Sequence, residues 1–178
     1  MGAKAYFNKR DLRVIGEALD ISEDCTGGFF KFSSAQWKRH RYCVKTLEHL
    51  NEHEIAPLPA FAYLHKYSPV GQDTDSRSRM RDNYCICLQD HQIIKALRRD
   101  KELHMLPLMV YVFTHELIHI VRFCNYYQRF EVKGHDRDRE EGIVHQTSLE
   151  ALKGLKLQKL DYILEAYRPH SMPESMAF

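Results

Sequence analysis

The sequence predicts an α+β fold in a single domain spanning residues 1–178, and three observations carry that expectation. From Leu108 to Phe123 apolar residues fall on every side of a 3.6-residue wheel, the pattern of a helix buried on most of its circumference. Two shorter stretches, "AFAYLHKY" at 60–67 and "NYCICLQ" at 83–89, alternate with the period of strands. Downstream of the buried helix, Leu157, Leu160, Leu164 and Tyr167 return to helical spacing. A small antiparallel or mixed sheet packed on the apolar helix, with further helices towards the C-terminus, accommodates all three.

Taken in order, residues 1–32 mix short apolar groups with "CTGGFF", whose glycines predict a turn. Ser33 or Ser34 caps an expected helix reaching about Leu50, with Cys43, Leu47 and Leu50 at helical spacing. "APLP" then breaks the chain, and the strand at 60–67 places Phe61, Tyr63, His65 and Tyr67 on one face. His65 there reads as a packing or surface residue. "SPVGQDTDSRSRMRD" reads as a loop, which makes Arg77, Arg79 and Arg81 a solvated cluster and joins the two strands as a hairpin-like pair. A short helix around Ile93 to Leu97 precedes the buried one, whose first turn suits Pro107.

Composition excludes several classes of function. Twenty-six basic against 24 acidic residues give a net charge of +2, which argues against a dedicated nucleic-acid binder. No apolar run reaches the roughly 18 residues of a membrane span, and "MGAKAYFNKRDLRV" lacks the apolar stretch of a signal peptide. A cytoplasmic protein without a membrane partner is expected. Cys25, Cys43, Cys85, Cys87 and Cys124 form an odd, scattered set with no C-x-x-C pair, so all five are expected to be reduced thiols. Cys85 and Cys87 share one side of an alternating strand, and Cys124 follows the buried helix as a core or boundary thiol.

Chemistry concentrates in the buried helix, in "HELIH". His115 and His119 stand four residues apart, hence one turn apart on one face, where both rings can converge on a point. Glu116 sits about 100° around the helix beside that point. Burying such groups without partners costs on the order of 1–3 kcal/mol each, so something must compensate them. H-E-x-x-H spacing does so with a metal: two neutral imidazoles bind zinc and the glutamate is left as a general base.

On these residues the chain resembles the zincin metallopeptidases, and the flanks resemble small bacterial H-E-x-x-H proteins. A histidine six residues after His119 would mark the metzincin group, but that position is Asn125. Farther on, "DRDREEGIVHQTSLEAL" is compatible with a helix, with Asp138 and Glu141 spaced like an acidic capping box. The resemblance here is to the gluzincins, which complete the site with a glutamate on a second helix, commonly followed four residues later by a carboxylate or histidine. Glu141 and His145 match that arrangement, although thermolysin-like members usually carry an aspartate at the latter position. Glu140 points about 100° away and is the alternative carboxylate. His135, in "EVKGHDRD", is the alternative that a SprT-like zincin would use, from a loop.

The resemblance implies zinc held by His115, His119 and Glu141, and hydrolysis of a peptide or protein substrate through a metal-activated water with Glu116 as general base. Tyr126, Tyr127, His135 and His145 are candidate donors to the developing oxyanion, and His145 is equally a candidate for orienting a ligand. Arg122, one turn beyond His119, faces the same side and is a candidate to pair with a carboxylate. Residues 83–89 are expected to form the sheet edge along which substrate lies. The alternative function is a non-catalytic, zinc-stabilised binding or regulatory module.

Overall fold

A computed structural model gives the fold, and it describes residues 5–57, 59–67, 83–125, 130 and 133–167. The Arg77–Arg81 cluster, Tyr126 and Tyr127 lie outside the described residues. Helix α1 runs from Lys9 to Phe30, followed by the single turn α2, Ser34–Trp37, and strand β1, Tyr42–Lys45. Two 3-10 turns lead to β2, Ala62–Tyr67, and β3, Asn83–Leu88. Then come α3, Asp90–Arg99; α4, Met105–Cys124; α5, His135–Leu152; and α6, Leu160–Ala166. The architecture is mixed α+β, with one three-stranded mixed sheet among the described residues.

Local chemistry fixes the ends of α1. Asn8 Oδ1 accepts from the backbone N–H groups of Arg10 and Asp11, while Asp11 Oδ2 accepts from the N–H of Asn8. At the other end Lys31 turns left-handed, φ 55°, and the N–H of Phe32 donates to the carbonyl of Gly27 at 2.8 Å. Residues 1–32 are therefore mostly helix, and the predicted turn at "CTGGFF" begins only after Phe30. Ile15, Ala18, Ser22 and Thr26 form the buried stripe. Three of those side chains are small, so α1 approaches α4 closely enough for Ser22 Oγ to donate to the carbonyl of Val110 at 3.0 Å.

The expected helix from Ser33 to Leu50 is corrected. Only Ser34–Trp37 is helical, capped by Ser33 and Gln36, and the chain then becomes β1. β1 lies parallel to β3, pairing Tyr42 with Tyr84 and Lys45 with Cys87, while β2 lies antiparallel on β3's other side. With the order β1-β3-β2, residues 83–88 form the central strand and cannot be the sheet edge. Sequence periodicity does not report lateral order, and β1 was hidden by helical spacing of Cys43, Leu47 and Leu50.

Ala62 and Leu64 of β2, with Tyr84, Ile86 and Leu88 of β3, face the helices and join the main core. α4 is its axis: every residue from Pro107 to Val121 is buried. By length and composition α4 would suit a membrane, with a mean hydropathy of 1.2, but 83% of its apolar window is buried inside the protein. Asp90, at the start of α3, accepts from the N–H groups of Phe7 and Leu47 and so ties both incoming segments to the core. The last predicted helix is shorter than its pattern. Lys159 is left-handed, φ 67°, so Leu157 lies in the preceding loop while Leu160 and Ile163 are buried.

Candidate metal centre

Two helices build the site. α4 presents His115 and His119 one turn apart, and α5 crosses with Glu141 aimed at both. His115 Nε2 lies 3.2 Å from His119 Nε2 and 3.2 Å from Glu141 Oε2, and His119 Nε2 lies 3.3 Å from the same oxygen. Donors at about 2.0–2.2 Å from a tetrahedral zinc stand about 3.3–3.6 Å apart, so this triangle has close to the edge lengths such an ion requires. A group of two imidazole nitrogens and one carboxylate oxygen, with one side of the triangle open, has the chemistry of a divalent-metal site.

α5 begins where it does because of its first junction. Gly134 occupies φ 60° and ψ −137°, a conformation suited to glycine, and the chain enters the helix at His135. His135 is thus the first helical residue rather than a loop residue. It is exposed, and it is not part of the triad. The suggested Asp138–Glu141 box is not formed: no side chain caps α5, and the Glu141 carboxylate is turned to the histidines.

Glu140 is turned to a different partner than the histidines. Its two oxygens receive Arg122 Nε at 2.5 Å and Arg122 Nη2 at 2.8 Å, a bidentate pair on a buried carboxylate. The sequence expectation that Arg122 pairs with a carboxylate on that side is met here. His145 is buried and lies 2.6 Å through Nδ1 from the hydroxyl of Tyr111, whose ring in turn lies 6.1 Å from that of His115. Sequence reasoning missed Tyr111, although a signal existed: it precedes His115 by four residues and so shares the face of the triad.

Electrostatics distinguish the four central groups. Burial disfavours charge on Glu141, yet the His119 charge and hydrogen bonds to both imidazoles outweigh it and hold the carboxyl below its ordinary value. Burial also opposes charge on His119, but Glu141 overcomes it and raises the imidazole; for His115 burial prevails and the value falls. Glu116 has no such compensation. Burial pushes its carboxyl up to about 7, with His119 opposing and Glu141 adding to the rise, and its Oε1 has no hydrogen-bond partner among the described residues.

A cleft of about 310 Å³ opens onto these groups, with Glu116, His119 and Glu141 on its wall. Tyr63 and Leu64 of β2 form one side, and Phe123 and Phe130 form an apolar end. Among the described residues β2 pairs with β3 alone, so β2 is an edge strand there, with Tyr63 and Leu64 on the cleft. The expectation that residues 83–89 form a sheet edge is therefore not met, because β3 is the central strand. Comparison of the chain with protein-family models, curated proteins and solved structures finds no match.

Proposed function

We propose that the protein is a zinc-dependent metallopeptidase of minimal zincin type, with His115, His119 and Glu141 as the metal ligands and Glu116 as the general base. The observation that carries the reading is the near-equilateral donor triangle beside a buried glutamate that has no cation of its own, open to a cleft. The arrangement supports a gluzincin-like ligand set over one with His135. When bound, the metal supplies Lewis acidity, polarising a peptide carbonyl and making a water nucleophilic near neutral pH.

The chain's own residues supply the rest. The Glu116 carboxyl, raised to about 7, is near the value at which a base both accepts a proton and returns it at neutral pH, here to the departing amine. The Glu141 carboxylate remains ionised and holds the two imidazoles in register. Edge β2 offers backbone groups to align an extended peptide, and Phe123 and Phe130 keep one end of the cleft dry. His145 and Tyr111 brace the side of His115 away from the cleft, a positioning part rather than a donor to the oxyanion. A reducing, cytoplasmic setting belongs to the proposal, since all five cysteines are free.

Metal analysis of protein purified without chelator tests the ligand set, with about one zinc per chain expected. A diverse peptide-library digest then separates enzyme from binding module. Wild type is expected to cleave and Glu116→Gln to keep its zinc while losing hydrolysis; equal inertness of both would favour the non-catalytic module.

A further inference from the structure

The cleft beside the triad carries a charge pattern that the hydrolytic chemistry does not use. Of its carboxylates, Glu140 is held bidentate by Arg122 and Glu141 is turned to the imidazoles. Lys133 and Arg137 line the same cleft, and neither has an ion-pair partner among the described residues. Lys66 adds to this side, its Nζ lying 6.0 Å from the centre of the Phe130 ring. Lys133 and Arg137 therefore line the cleft together with Phe123 and Phe130, and Lys66 lies near Phe130. Among the described residues, half-buried Lys45 is matched by Glu54 and Arg122 by Glu140.

We infer that the cleft selects peptides which place a large apolar side chain against Phe123 and Phe130 and present a carboxylate to Lys133 and Arg137. The inference rests on the peptidase reading for its substrate being a peptide. The cleft volume lies at the small end of the range for ligand pockets, which suits one large side chain with an adjoining charged group rather than a long buried segment. Arg137 offers a planar guanidinium and Lys133 a mobile ammonium, so a carboxylate bound between them gains charge-assisted hydrogen bonds on two sides. Such a carboxylate has two sources, an Asp or Glu side chain or the peptide's own C-terminus.

Binding to zinc-loaded Glu116→Gln protein tests this without relying on turnover. Three fluorescein-labelled hexapeptides containing one Phe serve as probes: Phe followed by Glu with an amidated C-terminus, Phe followed by Gln with a free carboxyl-terminal end at the next residue, and Phe followed by Gln fully amidated. Either acidic peptide is expected to bind about tenfold tighter than the neutral one at low ionic strength, with the margin shrinking as salt is added. Whichever of the two shows the preference identifies the source of the carboxylate. Lys133→Ala/Arg137→Ala in the same background should abolish the preference while zinc content stays unchanged. Binding with no charge preference, or a preference that survives the double substitution, overturns the inference and leaves the peptidase reading intact. No binding by any probe, together with no cleavage of a peptide library by wild type, overturns both.

Discussion

Two regions of this protein bury glutamates, and they solve the problem in opposite ways. On the sheet face turned away from α4, Glu54 is fully buried and receives Lys45 Nζ at 2.7 Å and the Asn51 N–H at 2.8 Å. Burial alone would raise its carboxyl, but the Lys45 hydrogen bond and charge and the Asn51 N–H outweigh it, and the value lies below the ordinary one. Lys45 also donates to the Tyr67 hydroxyl, so the cluster is closed on itself. In α4, Glu116 is equally buried; burial outweighs the opposing His119 charge, its Oε1 has no hydrogen-bond partner among the described residues, and its carboxyl is raised to about 7. The first glutamate is satisfied within the fold, while the second, left unsatisfied at a cleft, is a candidate for chemistry.

Breaking the functional region should have the larger effect. His115→Ala or His119→Ala removes one of the three proposed ligands, and zinc is expected to be lost from the purified protein together with all hydrolysis, as metal analysis and a peptide digest would show. Zinc at full occupancy in the double substitution would contradict the reading. Glu116→Gln should lower turnover by about 10²–10⁴-fold at unchanged zinc content, the usual contribution of a positioned base.

The pH dependence of stability sharpens the contrast, because the two glutamates have opposite signs. Glu54 is more acidic folded than unfolded, so its contribution is complete above the unfolded value of about 4.3 and is lost as pH falls through the folded value. Glu116 in the metal-stripped chain is less acidic folded than unfolded, so stability falls as pH rises from about 4.3 through 7, by about 4 kcal/mol in all. Denaturant melts of metal-stripped Glu116→Gln should lack that neutral-pH decline. Melts of Lys45→Ala should lose the acid-side dependence attributable to Glu54.

Smaller effects are expected where a cation is removed from a satisfied pair. Lys45→Ala and Arg122→Ala each leave a buried carboxylate without its partner and should destabilise by about 1–3 kcal/mol in urea melts. Lys45→Ala should leave zinc binding untouched. Arg122→Ala should also retain zinc if Glu141 is the ligand, but it frees a second carboxylate 18 positions along the chain and close to the triad.

How much of this was legible depended on whether the information was local. H-E-x-x-H spacing placed three residues of the candidate site because helix geometry is set within one turn, and Glu141, the fourth candidate, followed from the resemblance together with its position on an expected helix. β2 and β3 were legible in their alternation. α1 was not, because its buried stripe of Ala18, Ser22 and Thr26 is small and partly polar, and Gly27 and Gly28 sit inside its last turn. β1 was not, because four residues carry little periodicity and its parallel partner lies some forty positions away. From that omission came the wrong sheet edge. The Glu140–Arg122 pair was foreseen only as a tendency of Arg122; which of two adjacent glutamates it takes is decided by the crossing of α5 on α4.

A chelator-competition titration of wild type, Glu141→Ala, Glu140→Ala, His135→Ala and His145→Ala ranks every candidate ligand on one scale. Glu141→Ala is expected to weaken zinc most, His145→Ala to cost about 10–100-fold as the loss of a bracing partner does, and Glu140→Ala and His135→Ala to stay near wild type. A silent Glu141→Ala with His135→Ala the most damaging would contradict it.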